Sequence, residues 1–414
     1  MDHVTCLGCG CACDDIALRV AAGRIVHAER ACDLGLAWFG DGSAPSRAMA
    51  RGADATVEAA LDDAAALLSA ADRPLVFLAP ELSCESQRAG VAIADCLSAA
   101  LDSVTSSTAM AAILAAQERG RASATLGEVR HRADLLMYWG VDPSAAYPRF
   151  ASRYAQEAGG LHVTTRTVIA VDIGGARGPA AADTRVAIDP ADEISALTSL
   201  AAGTAPAPLS DLRTRLAAAR YAVIVADGET GDLSPSSRSV ALAALAQALN
   251  GPTRAALVTL RAGGNRSGAD AVMTSQTGYP AAVDFSSGSP RYRPHDGGAL
   301  ARLSRGEVDA VLVLGEIARI PARLRSLLAQ VPSIVVGPRA SVDAFAGARV
   351  VVDTGIAGIH ESGTALRLDD VPLPLRRVVD GPPETAATIR ALGARLTKAD
   401  AVDASARRIG TRRA

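Results

Sequence analysis

The sequence predicts an α/β protein in which a small N-terminal domain with a Cys-rich β-hairpin precedes two related, doubly wound Rossmann-like domains. Three observations predict this fold: five of the seven cysteines lie before residue 33, short apolar runs alternate with amphipathic segments, and these runs repeat in order. Strands that alternate with helices form parallel sheets. The predicted units are residues 1–50, 51–210 and 211–354, followed by an extended C-terminal segment and tail at 355–414.

The composition excludes several classes of protein. Apolar residues make up 49% of the 414 residues and aromatic residues only 3%, so Ala, Val and Leu must build the cores. The 42 Lys and Arg nearly balance the 44 Asp and Glu, which argues against a nucleic-acid or membrane-surface partner. No apolar run reaches the roughly 18 residues of a spanning helix. The N-terminal residues do not resemble a signal peptide, so we expect a cytoplasmic protein.

Four cysteines form the candidate metal site. Cys6, Cys9 and Cys13 follow a C-x2-C-x3-C pattern, and Cys32 comes after a predicted hairpin at residues 15–27. Four thiolates in such a pattern can surround a tetrahedral zinc ion or an iron–sulfur cluster. Cys11 is a fifth candidate, because C-x-C combinations are also available.

The alternatives for these cysteines are a set of small buried side chains or a disulfide pair. A cytosolic protein keeps its thiols reduced, so a dense group of cysteines favours a metal. The sequence therefore favours an iron–sulfur cluster first, structural zinc second, and no metal as the remaining alternative.

The periodicity predicts the same order of elements in both halves. In the first half we expect a helix at 57–71, a buried strand at 74–78, a helix at 83–97 and a strand at 101–105. In the second half we expect a strand at 221–226, a helix at 236–249 and a strand at 255–260. Downstream, 132–140 matches 307–315, 168–172 matches 334–338, and 183–189 matches 348–353. This pattern indicates an internal duplication.

The chain changes character after residue 354. Residues 355–375 are punctuated by glycine and read as extended structure laid against another surface, and a helix with a basic end follows residue 383. An exposed edge in such a segment would promote aggregation unless a partner covered it.

Several strings carry a resemblance to a known family. They are Cys13-Asp-Asp-Ile16, Thr125-Leu-Gly-Glu-Val129, Thr277-Gly-Tyr-Pro-Ala-Ala-Val-Asp-Phe285 and Gly355-Ile-Ala-Gly358 with Glu361-x-Gly-Thr364. In this order they resemble the B subunit of formylmethanofuran dehydrogenase, of the molybdopterin oxidoreductases. The resemblance implies a cluster domain and two related α/β domains like those of formate dehydrogenase and DMSO reductase.

The resemblance also implies cofactors. It implies a [4Fe-4S] cluster on Cys6, Cys9, Cys13 and Cys32, and a molybdenum or tungsten bis-pterin centre with a cysteine or selenocysteine ligand. Counting without gaps from Asp102 puts that ligand at Thr108, and the loop 103–110 contains no thiol. A neutral hydroxyl is a poor ligand for such a soft centre. We therefore expect no molybdenum or tungsten pterin.

Two further loops depart from the family. Ile173-Gly174 stands where the family has Pro-Arg, and Asp142-Pro143 stands for Asn-Pro. A carboxylate near a pyrophosphate is unfavourable unless cations offset it. The arginines that could do so, or could be surface residues, are Arg149, Arg153, Arg261, Arg266 and Arg291.

The sequence therefore most resembles the non-redox relative, the B subunit of the formyltransferase/hydrolase complex of methylotrophic bacteria. The resemblance implies tetrahydromethanopterin-linked oxidation of formaldehyde to formate, and partner subunits of formyltransferase, amidohydrolase and β-solenoid type. A methanofuran-like carrier would lie nearby, and this chain would serve assembly or the carrier's path, with no catalytic residues of its own. The alternative is an active B subunit of a molybdenum or tungsten formylmethanofuran dehydrogenase.

Two histidines precede carboxylates and are weak acid/base candidates. They are His295, beside Asp296, and His360, beside Glu361. No two histidines have metal-ligand spacing, so satisfied or exposed histidines are the favoured interpretation.

Overall fold

The protein is built around two large sheets whose central strands are parallel, as the predicted α/β class requires. The computed structural model describes residues 1–155, 161–175, 177–229, 236–343, 345 and 347–410. Its strands are β1 Ala17–Ala21, β2 Arg24–Glu29, β3 Ala48–Ala50, β4 Ala53–Asp54, β5 Pro74–Leu78, β6 Ala100–Ser103, β7 Leu135–Trp139, β8 Thr167–Ile173, β9 Thr184–Ile188, β10 Tyr221–Asp227, β11 Arg254–Leu260, β12 Val283–Asp284, β13 Arg291–Tyr292, β14 Ala310–Leu314, β15 Ser333–Gly337, β16 Ala348–Asp353, β17 Gly363–Leu366 and β18 Pro372–Leu375.

The α-helices lie between these strands and at the C-terminal end. They are α1 Asp33–Phe39, α2 Val57–Ser69, α3 Cys84–Cys96, α4 Thr105–Thr108, α5 Met110–Arg119, α6 Leu126–Arg132, α7 Glu193–Ala202, α8 Leu209–Ala218, α9 Ser236–Leu249, α10 Arg266–Thr277, α11 Ala299–Ser304, α12 Ala322–Leu328, α13 Ala340–Asp343 and α14 Thr385–Gly410. In the described part of the chain, no helix is both long enough and apolar enough to cross a membrane.

The two large sheets do not follow the predicted domain boundaries. One has nine strands in the order β13-β12-β6-β5-β14-β15-β16-β3-β4, and the other has five in the order β11-β10-β7-β8-β9. Each sheet therefore takes strands from both the 51–210 and the 211–354 unit. The domain boundary predicted after residue 210 does not separate the two sheets, because β5 pairs with β14 and β7 pairs with β10. As a boundary between two consecutive sheets, the prediction is wrong.

The strands that the duplication matched occupy equivalent places. The order β6-β5-β14-β15-β16 in one sheet corresponds to β11-β10-β7-β8-β9 in the other. In each sheet these five strands are parallel. The two repeats have thus exchanged their second halves. Such an exchange leaves the sequence pattern of each repeat intact, so the pattern alone predicts consecutive domains.

Both sheets are covered on both faces, which explains their almost wholly apolar central strands. Along β5, Val76 and Leu78 enter one core while Leu75 and Phe77 enter another. Along β7, Leu136 and Tyr138 face a core that also contains the N-terminal cysteines. The cysteine loop is therefore packed on one face of the five-stranded sheet.

The C-terminal segment closes on the chain itself. Strands β17 and β18 form an antiparallel hairpin, and Leu373 and Leu375 are buried in the same core as the cysteines. The Thr5 hydroxyl donates to the Pro374 carbonyl at 2.8 Å. One face of this segment therefore lies against the cysteine domain of its own chain, and its packing against a partner subunit stays a prediction. The predicted helix after residue 383 is confirmed as α14.

Candidate functional site

The cysteine loop is closed by backbone hydrogen bonds at its base. Val4 and Ile16 form a β-bridge, and the Cys6 amide donates to the Cys13 carbonyl at 2.9 Å. Cys6 and Cys13 therefore face each other across the loop, with Cys9 and Cys11 in the turn between them. The predicted hairpin is confirmed as β1 and β2, and it ends just before Cys32, the residue that precedes α1.

Two glycines allow the loop to lie against its neighbours. A Cβ on Gly10 would come within 1.9 Å of the Arg261 carbonyl oxygen, and one on Gly8 within 2.6 Å of the Leu34 carbonyl oxygen. Neither position has room for a side chain, because the obstructing atoms are backbone. The loop is thus held between the start of α1 and the loop after β11.

The sulfurs lie mostly inside the protein. Cys6, Cys9, Cys11 and Cys13 are buried, and Cys32 is half-buried. All seven cysteines fall in the described residues, and none of them is joined by a disulfide bond in the structure. Cys84 and Cys96 lie in α3, away from this loop.

The sulfurs are close enough to affect each other's charge. Burial raises the pKa of the Cys6 thiol, and the charges of Cys13, Cys9 and Cys32 raise it further. The Cys11 thiol donates a hydrogen bond to Cys9 and lowers the pKa of Cys9 to about 7. Cys9, Cys13 and Cys32 therefore lie within electrostatic range of Cys6, and Cys11 lies against Cys9.

Two arginines supply positive charge beside the sulfurs. Arg149 donates both terminal nitrogens to Asp15, at 2.7 and 2.6 Å, and Arg153 donates to Asp14 at 2.8 Å. Arg153 also hydrogen-bonds the Cys13 sulfur and opposes the rise that burial causes in the Cys13 pKa. The two aspartates after Cys13 thus hold both guanidinium groups at the loop. The surface interpretation of these two arginines is wrong.

Among the described residues, no group of three or more His, Cys, Asp or Glu side chains is arranged to hold a metal ion. The kind of donor nevertheless fits a thiolate centre, because four thiols share one buried loop region with two guanidinium groups. Thiolates are the preferred ligands of zinc and of iron–sulfur clusters. The assignment of Cys6, Cys9, Cys13 and Cys32 as metal ligands stays a prediction.

Thr108 lies at the end of a short helix. The predicted strand at 101–105 ends at Ser103, and α4 follows it. The Thr108 hydroxyl donates to the Val104 carbonyl at 3.0 Å, one turn earlier in the chain. Thr108, where the resemblance implies a metal ligand, therefore has a hydroxyl that is bonded to its own backbone.

A buried charge network next to α4 was missed by the sequence reasoning. Arg261 donates to Glu229 at 2.7 Å and to Asp270 at 2.5 Å, and Arg266 donates to Glu229 at 2.6 Å. The Thr105 hydroxyl donates to Asp270 at 2.6 Å. Its sequence signal is an arginine directly after a strand, but nothing in the spacing indicates that Glu229 and Asp270 are its partners.

The two other departing loops satisfy their own backbone. The Asp142 carboxylate accepts from the Ser144 amide at 2.9 Å, which caps the turn after β7. Gly174 ends β8 with a φ of 66°, a conformation that suits glycine. Asp172 accepts from Arg185 and from the Gly178 amide, so its charge is also used within the loop.

The two histidines do not form acid/base sites. His360 is buried, its Nδ1 accepts from the Ile356 amide at 3.0 Å, and its Nε2 lies 2.8 Å from the Gly42 carbonyl oxygen. Burial lowers the pKa of His360, so the ring is neutral. Glu361 accepts from the Ser83 hydroxyl and the Thr385 amide, which ties the C-terminal segment to the start of α3. His295 is exposed.

Glu81, in the loop between β5 and α3, is the second feature that the sequence reasoning missed. It is 1% exposed, and neither carboxylate oxygen has a hydrogen-bond partner in the described part of the chain. Arg319 Nε lies 3.2 Å from Glu81, and the same guanidinium lies 5.4 Å from the ring centroid of Trp38 in α1. Burial raises the pKa of Glu81 to about 8.

Comparison with curated proteins finds relatives along nearly the whole chain, although no family model matches. The B subunit of tungsten-containing formylmethanofuran dehydrogenase 2 of Methanocaldococcus jannaschii is 31% identical over 411 residues, covering 92% of this chain and 94% of that protein. The protein of the same name from Methanococcus maripaludis is 29% identical with the same coverage. The B subunit of the formyltransferase/hydrolase complex Fhc of Methylorubrum extorquens is 29% identical over 329 residues, covering 76% of this chain and 87% of that protein.

The fold has a relative among solved structures. A chain in the crystal structure of the formyltransferase/hydrolase complex from Methylorubrum extorquens, in complex with methylofuran, superimposes with a TM-score of 0.74. It is 25% identical, and the match covers 86% of this chain and 99% of that chain. With 31% identity to a relative that it matches almost end to end, this chain belongs to the family of formylmethanofuran dehydrogenase B subunits.

Proposed function

We propose that this chain is the B subunit of a formyltransferase/hydrolase complex, in which it has an assembly or carrier-path role and no redox chemistry of its own. The observation that carries this is Thr108, whose hydroxyl is bonded to Val104 where the redox relatives have a metal ligand. The fold supports the same choice, because the match covers 99% of a chain in the Methylorubrum complex.

The alternative function is an active molybdenum or tungsten formylmethanofuran dehydrogenase. It is favoured by the 31% identity to a tungsten-containing relative and by the retained cysteine pattern. It requires a soft metal ligand, and a backbone-bonded threonine does not supply one. Arg261, which could approach an anionic cofactor, is already paired with Glu229 and Asp270. We therefore propose that the chain binds no molybdenum or tungsten pterin.

The proposal keeps the N-terminal metal site. Cys6, Cys9, Cys13 and Cys32 would hold a [4Fe-4S] cluster, with zinc or no metal as the alternatives. Such a cluster would supply structural cross-linking and a one-electron centre when bound. Arg149 and Arg153 support a cluster because their charges favour the thiolate form of Cys13.

The proposed partners rest on the resemblance to the formyltransferase/hydrolase complex, and the match to a chain of such a complex supports the presence of partner subunits. They are subunits of formyltransferase, amidohydrolase and β-solenoid type, in a cytoplasmic complex that oxidises formaldehyde to formate through tetrahydromethanopterin and a methanofuran-like carrier. We also propose that the two exchanged sheets are the Rossmann-like domains of the molybdopterin oxidoreductases. The equivalent strand orders support this.

Co-purification and cofactor assays test this proposal. The chain, expressed with the neighbouring subunits of its own genome, should be recovered in one complex with formyltransferase activity. The purified complex should contain no stoichiometric molybdenum or tungsten and should not reduce a viologen dye with formylmethanofuran. Thr108→Cys should not restore dye reduction, because the surrounding loops also differ. Stoichiometric tungsten, or dye reduction above background in the wild-type complex, would establish the alternative.

A further inference from the structure

A cavity of 480 Å³ lies beside the charge network, between α5, α9 and α10 and the edge strand β11. This volume falls in the range of small-molecule sites, roughly 300–1,000 Å³. The cavity opens at the carboxyl ends of β10 and β11, where parallel sheets bind their ligands. None of the cysteines lines it.

Most of the cavity wall is apolar. Ala112 and Ala116 of α5 face Leu242 and Ala246 of α9, with Leu257 of β11 beside them. Alanines on α5 leave the space that larger side chains would fill. An occupant must therefore have an apolar body, because this wall offers it few hydrogen bonds.

One end of the cavity is polar. Asp227 ends β10, and one of its carboxylate oxygens accepts from the Glu229 amide at 2.9 Å. Its other oxygen, and the hydroxyls of Thr259 and Ser239, have no hydrogen-bond partner among the described residues of the chain. A Cβ on Gly228 would come within 3.1 Å of Thr259, so these two strand ends lie close together.

The charge at the cavity disfavours an anion. Among the described residues, the charged side chains that line the cavity are three carboxylates, Asp227, Asp270 and Asp370, and two guanidinium groups, Arg121 and Arg261. Arg261 is paired with Asp270, and Arg121 is paired with Asp370 at 2.7 Å. Asp227 is left as the charged group without a cation in hydrogen-bond contact. Burial and the charge of Glu229 raise the pKa of Asp227, whereas the Glu229 amide and the charge of Arg238 lower it, so an ammonium beside Asp227 would favour its charged form.

We infer that this cavity binds a small molecule with an apolar body and a primary amine head. The ammonium pairs with Asp227, and the hydroxyl oxygens of Thr259 and Ser239 accept hydrogen bonds from its remaining N–H groups. A phosphate or carboxylate head is excluded by the same carboxylate. The inference does not depend on the proposed function, because it uses only the residues of this cavity.

Three probes that differ only in the head group test it: benzylamine, benzyl alcohol and benzoate. Titration calorimetry on the full chain should show binding of benzylamine, weaker binding of benzyl alcohol and none of benzoate. Asp227→Asn should weaken benzylamine at least about tenfold, since a hydrogen bond to a charged group contributes that much. Ala112→Leu should block all binding by filling the cavity.

Asp211→Asn, an exposed carboxylate on α8, is the matched control and should leave benzylamine binding unchanged. Circular dichroism melting shows that each variant is folded. Three results would each overturn the inference: benzoate binding as tightly as benzylamine, full affinity in Asp227→Asn, or no binding of any of the three probes to the wild-type chain.

Discussion

Replacing Glu81 with glutamine should remove a large part of the pH dependence of this protein's stability. The folded-state pKa of Glu81 is about 8 because burial disfavours its charge, whereas an ordinary glutamate titrates near 4.5. Between these values the folded protein holds a proton that the unfolded chain releases, so unfolding becomes easier as the pH rises. Each pH unit in this window lowers the free energy of unfolding by about 1.4 kcal/mol, which amounts to roughly 5 kcal/mol across the window.

Glutamine resembles the protonated carboxyl and cannot release this proton. Near pH 5 the two proteins should have similar urea midpoints, and by pH 8 the Glu81→Gln variant should be the more stable. Arg319, whose side chain is 33% exposed, can turn to water when its partner is neutral. Other buried carboxyls, such as Asp102 and Glu361, add the same slope to both proteins and cancel in the comparison.

The assay is urea unfolding followed by circular dichroism across this pH range, with infrared spectroscopy of the carboxyl group as a direct readout. The wild type should show a protonated-carboxyl band at neutral pH that is reduced in Glu81→Gln. Glu307→Gln, at an exposed ion pair, is the control and should keep the wild-type slope. Parallel pH profiles for wild type and Glu81→Gln, with no change in the infrared band, would refute the reasoning.

Three further predictions concern the cysteine domain and the complex. Cys9→Ser should lower both the amount of bound metal and the melting temperature, because metal binding is coupled to folding. The metal is measured by metal analysis of anaerobically purified protein, and Cys96→Ser, the control, should change neither quantity. Absence of iron, sulfide and zinc from the wild type would contradict this prediction. Arg149→Ala should cost roughly 1–3 kcal/mol in urea unfolding because it removes two hydrogen bonds to Asp15 and leaves this carboxylate with the longer Arg153 contact at 3.2 Å. Arg24→Ala, whose side chain is 64% exposed, should cost less than about 1 kcal/mol. Light scattering should show the chain shifting into a larger complex on mixing with the proposed partner subunits; a monomer with no shift would count against that assignment.

The strands were predictable because buried parallel strands are short apolar runs bounded by turns. Pro74–Leu78 and Ala310–Leu314 are wholly buried, and the pattern identified both. The pairing of these two strands was not predictable. They lie in different repeats, and hydrophobic periodicity carries no information about which strand of a duplicated set becomes a neighbour.

The candidate site was predictable where its chemistry is concentrated in sequence. Cys6, Cys9 and Cys13 share one loop, so their spacing brings them together. Arg149 and Arg153 were assigned to phosphate or to the surface, because their partners Asp15 and Asp14 are more than a hundred residues away. The sequence around Glu81 and Asp270 did not indicate their special role for a similar reason. Elements that are distant in sequence bury these carboxylates and raise their pKa.

The exchange of repeat halves explains why the residues of the charge network lie close together. β6 and β11 are equivalent strands in different sheets, and the segments that follow them meet, since Thr105 hydrogen-bonds both Asp270 and Arg261. A substitution in one segment therefore alters the hydrogen bonds of the other. In this chain the first segment has a threonine at position 108, bonded to its own backbone, and the second has an arginine neutralised by two carboxylates. Both segments are thus satisfied by partners within the chain, and this arrangement is the one that the proposed absence of a molybdenum or tungsten pterin predicts.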